Sequence, residues 1–101
     1  MQNVEIGVGQ VKVNDGFWNR RIQNAVENVV PYQWRVLNDR EPGAEPSHAM
    51  QNYRIAAGLA EGEFQGFQFQ DSDLAKWIEA ASYSLIYGDS PEIRAALREA
   101  I

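Results

Sequence analysis

DSDLAKWIEAASYSL, residues 71–85, decides the fold of this chain. Leu74, Trp77, Ile78, Ala81 and Leu85 recur three and four apart, which lines one face of a helix with apolar groups. Asp71 or Ser72 stands where a helix needs a cap, and Gly88 follows as a natural stop. A second helix begins three residues later. Ser90-Pro91-Glu92 supplies cap, first-turn proline and first-turn carboxylate in order, and Ile93, Leu97 and Ile101 continue at helical spacing. This last pattern reaches the final residue with no glycine or polar tail, and we expect the helix to continue in a longer protein.

Upstream of Asp71 the pattern changes. GEFQGFQFQ, residues 62–70, alternates phenylalanine with glutamine and glycine, and no helical period fits it. It reads as an extended loop anchored by its rings. Before it, Ser47 is a plausible cap for a helix whose buried side carries Met50, Tyr53 and Ala57, ended by Gly58 or Gly62. DREPGAEPS, residues 39–47, holds two prolines and a glycine and is a loop. Asn14 or Asp15 can cap a further helix, in which Trp18, Ile22, Ala25 and Val29 form the apolar stripe. Pro31 should kink this helix or end it near Val30, because proline lacks an N–H and crowds the preceding turn. Trp34 and Leu37 carry helical structure to about Asn38.

At the N-terminus the period is two rather than 3.6. Val4, Ile6 and Val8 alternate with polar or small residues, and Val11 and Val13 resume the alternation after Gly9. This predicts a short β-strand. No later segment offers it a partner, so the partner is expected in other sequence. The reading is thus mainly α: residues 1–13 form an N-terminal strand segment and residues 14–101 a set of helical hairpins.

Composition bounds the function. The chain has 101 residues, 45% of them hydrophobic and 23% charged, enough for one small core and too few for two. Its net charge is −5, and its nine basic residues are scattered, so neither a nucleic-acid footprint nor an attraction to anionic membranes is visible. There is no cysteine, which removes disulfides, thiolate nucleophiles and cysteine-bound metals from this chain. No basic region followed by an apolar run opens the sequence, and no apolar stretch is of membrane-spanning length. A soluble, cytoplasmic protein is expected.

Few residues carry chemistry. Asp71 and Asp73 lie two apart on a helix and so do not face each other. Capping by Asp71 and dipole stabilisation by Asp73 explain them without a ligand, although either can point from the helix mouth toward one. His48 is the only histidine; it has no second nitrogen or sulfur ligand for a metal and is expected against solvent or backbone. Trp18, Trp34 and Trp77 could stack on sugars, but at helical spacing they read as core. Lys76 and Glu79 belong to a solvated face. Asp71, Asp73 or Glu79 acting as acid and base would need two carboxylates roughly 5–10 Å apart across a bond, which the spacing does not supply. No residue is assigned as catalytic.

Four runs together resemble a known family: VNDGFWNRR (13–21), PYQWRVLND (31–39), SHAMQNYRIAAG (47–58) and EFQGFQFQDSDLAKWIEAASYSL (63–85). They resemble the start of the β-L-arabinofuranosidase-like glycoside hydrolases of family 127, most specifically in FxDSDLAKWIEA, Phe69 to Ala80. The resemblance implies a large protein with an (α/α)6 helical barrel followed by β-sandwich domains. Such enzymes are retaining and exo-acting on β-linked arabino-oligosaccharides. They use a cysteine nucleophile, a glutamate acid/base, and a zinc ion held by cysteines and a glutamate. None of these maps onto residues 1–101. The resemblance therefore implies the first helices of such a barrel, inactive alone, with no cofactor bound by this chain itself. The N-terminal strand would pair with a β-domain, and residues 40–47 look like a short version of a variable loop. Phe69, Asp71 and Asp73 are the candidate carbohydrate-binding residues, and the partner is the sugar substrate of the whole protein. The alternative is a free-standing helical module that self-associates through exposed helix faces or the N-terminal strand.

Overall fold

A computed structural model describes residues 3–101. Five α-helices account for most of them: α1 (Gly16–Asn24), α2 (Val30–Leu37), α3 (Ala49–Ala56), α4 (Asp71–Ser84) and α5 (Pro91–Ala100). The mainly helical reading holds.

The predicted strand does not form. Among the described residues of 1–13, the chain is irregular apart from a single 3-10 turn at Val8–Gln10; residues 1 and 2 lie outside them. Val4, Ile6, Val8, Val11 and Val13 remain 44% to 84% exposed. The reason is pairing: a lone strand leaves its backbone donors and acceptors without partners, and nothing described here supplies a ladder. Alternation reports the side-chain period alone.

Asp15 begins α1, its carboxylate accepting from the backbone N–H of Phe17 at 2.9 Å and of Trp18 at 3.0 Å. Pro31 neither ends nor sharply divides the helix that follows. A π turn, Ala25–Val29, joins α1 to α2, and the N–H of Val30 reaches back five residues to the carbonyl of Ala25. The wider turn resets the hydrogen-bond register just before proline. Pro31 then sits in the first turn of α2, where its missing donor is least harmful. The reset also rotates the stripe. Val30, Pro31, Trp34 and Leu37 are buried, whereas Trp18 is 55% exposed and does not join the core expected of it.

The core forms where α2, α3, α4 and α5 meet. Its buried members include Val30, Trp34, Leu37, Met50, Leu74, Trp77, Ala81 and Ile93. Trp34 and Trp77 stack with ring centroids 4.6 Å apart. The Trp77 indole N–H donates to the Val30 carbonyl at 3.0 Å, which ties α4 to the first residue of α2. In α3 the prediction holds for Met50 but not for Tyr53 and Ala57, which are exposed. Asn52 is buried in their place. Ser90 caps α5 by accepting from Ile93 N–H at 3.2 Å, as its sequence requires.

Two helices end alike. Gly58, with φ +76°, closes α3: its N–H donates to Ile55 and that of Leu59 to Arg54, a Schellman pair. α2 closes with the same two bonds, Asp39 to Val36 and Arg40 to Arg35, but the left-handed position is held by Asp39 at φ 57°. Among the described residues, no helix is long and apolar enough to cross a membrane.

Candidate functional site

The left-handed Asp39 builds one end of the helical array. Its Oδ1 accepts from the backbone N–H of Ser47 at 2.6 Å and of His48 at 2.9 Å. These are free donors at the start of α3, so one carboxylate caps the helix that Ser47 was expected to cap. Ser47 Oγ contributes only a long 3.4 Å contact from Ala49 N–H. His48 occupies the cap position with φ 61°, and its Nδ1 lies 3.5 Å from Asp39 Oδ2. Residues 39–48 are thereby pinned as a closed loop.

The segment after α3 returns to this same end. The buried Asn52 carboxamide donates to Gln65 O at 2.8 Å and accepts from Gln65 N–H at 3.0 Å. Gly66 follows at φ +94°, a left-handed position where an added Cβ would collide with the Gln70 side-chain oxygen. A polar clasp fixes the loop, and the rings do not. Phe64, Phe67 and Phe69 are 48%, 68% and 70% exposed, and Phe67 and Phe69 lie nearly parallel, 5.4 Å apart. The expected aromatic anchoring is thus overturned.

A 3-10 turn, Gln68–Gln70, leads directly into α4. Gln70 precedes the helix, and Ser72 Oγ–H donates to Phe69 O at 2.8 Å. Neither Asp71 nor Ser72 caps α4 by accepting a backbone N–H. Asp71 and Asp73 lie within the first turn, where the helix dipole favours negative charge. The Tyr53 hydroxyl donates to Asp71 O at 3.0 Å, and Asp71 Oδ1 is shut from solvent without a hydrogen-bond partner.

The three predicted site residues part here. Only Asp73 lines a cleft, of about 480 Å³, between α2 and α4. Trp77, Leu37, Val36 and Ala80 form its apolar side, Ala44 from the pinned loop closes one part, and Tyr32, Gln33 and Lys76 complete it. Phe69 and Asp71 are outside its lining. Tyr32 and Gln33 carry no local signal of a site in the sequence, where PYQW contributes only to a resemblance. Lys76, which reads as solvated surface in the sequence, lines the cleft. A larger groove, about 630 Å³, lies between α1 and the start of α5. Its charged rim is Glu27, Asp89 and Glu92, with no cation in its lining.

Chemically, the α2–α4 cleft can bind and orient but holds only one carboxylate. The zinc ion implied by resemblance does not fit the residues present. There is no cysteine and a single histidine, and among the described residues no group of three His, Asp or Glu could hold a metal.

The sequence matches the family described as beta-L-arabinofuranosidase, GH127 catalytic domain, over residues 10–101. It is 42% identical to the non-reducing end beta-L-arabinofuranosidase of Bifidobacterium longum subsp. longum, over 84% of this chain and 15% of that protein. The fold matches the crystal structure of a GH127 beta-L-arabinofuranosidase from Geobacillus stearothermophilus T6 with a TM-score of 0.82. The sequences are 50% identical there, over 88% of this chain and 14% of that one. The chain thus spans 15% or less of the length of either relative.

Proposed function

This chain belongs to the GH127 beta-L-arabinofuranosidase catalytic-domain family, and from that premise we propose that it is the opening segment of an (α/α)6-barrel glycosidase acting on β-linked L-arabinofuranosides. Residues 14–101 contribute the first helices of the barrel and part of its sugar-facing end. They do not hydrolyse a glycoside alone. The observation that carries the reading is the match over residues 10–101 in a chain that has no cysteine. The nucleophile and the zinc ligands that the family resemblance implies have nowhere to come from here.

The shape supports a segment that packs against more protein. The radius of gyration is 16.3 Å, against about 13 Å for a compact domain of 100 residues. Phe17, Trp18, Leu59, Phe67 and Phe69 are all more than half exposed. The test is an assay of the chain with 4-nitrophenyl β-L-arabinofuranoside, with and without added zinc. No turnover above buffer is expected, and zinc-dependent turnover would refute the proposal.

The same exposed apolar groups favour a second reading, a module that associates with itself. Light scattering separates the two. A defined oligomer supports the module, and a monomer with these groups left bare supports the segment.

A further inference from the structure

We propose that α1 of one copy of this chain docks in the acid-rimmed groove of a second copy, between α1 and the start of α5, with Arg20 and Arg21 set against Glu27 and Glu92. The inference rests on the self-associating reading above and names the two faces that meet. α1 has no buried residue, and among the described residues it packs closely on no helix beyond the π turn that joins it to α2. Its outer face carries Phe17, Arg20, Arg21 and Asn24, which line a shallow hollow. Phe17 meets Trp18 edge to face at 5.1 Å, and the Arg21 guanidinium lies 4.9 Å from the Phe17 centroid. Arg20 and Arg21 are the only adjacent basic pair in a chain of net charge −5. Among the described residues, no carboxylate forms an ion pair with either.

The groove has the opposite chemistry. It encloses about 630 Å³, with Ile22, Val26, Pro31, Tyr87 and Pro91 as its apolar surface. Asp89 on its rim is held by Arg94, whereas Glu27 and Glu92 have no ion pair among the described residues. The backbone adds acceptors. In a regular helix the carbonyls of Val26 and Glu27 would take the N–H groups of residues 30 and 31. Here the Val30 N–H goes to Ala25, and Pro31 has none. Both carbonyls therefore lose their helix donors, and both residues line the groove. Carboxylates and carbonyls that accept without a donor suit a guanidinium, which carries five N–H groups and accepts nothing.

The spacing fits a second copy. Arg20 and Glu27 stand two turns apart along one helical run. Two copies laid antiparallel bring both arginine pairs to both acid rims at once, an isologous contact that closes as a dimer. Phe17, one turn before Arg20, then reaches the partner's groove near Pro31, one turn after Glu27, and covers its apolar surface.

The test is sedimentation equilibrium of the full chain over a range of concentrations and salt. A monomer–dimer equilibrium that weakens as salt rises is expected. Two variants carry reversed charges at exposed positions: Arg20→Glu with Arg21→Glu, and Glu27→Lys with Glu92→Lys. Each alone, with an unchanged circular dichroism spectrum, should dimerise at least about tenfold more weakly. Mixed, the two should pair one to one, because every contact is again between opposite charges. A dimer that persists unchanged in both variants, or variants that fail to pair on mixing, would overturn this contact and leave self-association standing. An unaltered chain that stays monomeric throughout would overturn both.

Discussion

Replacing Trp77 by phenylalanine isolates the contact on which the core depends. The smaller ring still fits the stripe of α4, but it removes the only donor the structure gives the buried Val30 carbonyl outside the helix, an indole N–H at 3.0 Å. Loss of a buried hydrogen bond weakens the fold by about 1 kcal/mol, and no more than that, because the Val30 carbonyl keeps its bond within α2. The lost indole atoms leave a gap against Trp34, whose centroid lies 4.6 Å away, worth about 1 kcal/mol more. The expected destabilisation is therefore about 2 kcal/mol. A domain of this size has about 5–15 kcal/mol in total, so its thermal midpoint should fall by about 8–16 °C. Urea unfolding followed by far-ultraviolet circular dichroism measures the difference at constant slope. Trp18→Phe is the control, because Trp18 is 55% exposed and should change stability by less than about 0.5 kcal/mol. A loss below about 1 kcal/mol in Trp77→Phe, or equal losses in the two variants, would refute the reasoning.

Three further outcomes follow from the same contacts. Asp39→Ala should destabilise by about 2 kcal/mol, since it strands two backbone donors and keeps a left-handed residue; Asp39→Gly should recover part of that loss, measured by thermal melting. Asn52→Ala removes both bonds to Gln65, and hydrogen exchange should quicken across residues 62–70 while α4 stays protected. Ser90→Ala deletes the cap of α5 and should lower stability by about 1 kcal/mol in urea unfolding.

The helices that were legible in the sequence are those whose local signals agree. In α4 and α5 the apolar period coincides with first-turn carboxylates and, in α5, with a serine cap and proline; both formed where expected. Elsewhere one signal stood alone. The alternation of Val4 to Val13 specified a side-chain period but no partner, and no strand formed. Pro31 predicted a kink or an end to the helix, and a π turn ending two residues upstream absorbed the conflict. The phenylalanines of 62–70 promised burial that the Asn52 clasp did not grant.

The candidate site was legible only in part. Asp73 reads as a candidate because it stands at a helix start, whereas the residues that share the cleft with it carry no such local signal. Tyr32 and Gln33 are about forty residues away and reach it only because α2 packs on α4 through Trp77. What the sequence alone determined is the helical class, the missing cysteine chemistry and the resemblance carried by FxDSDLAKWIEA. These depend on residue identity and on spacing within a single turn or two. The tertiary structure decided which of the acids faces a cleft, which aromatics are buried, and that Asp39 closes a loop nine residues long. Each of these is a contact between distant segments, and its energy exists only once the segments are brought together.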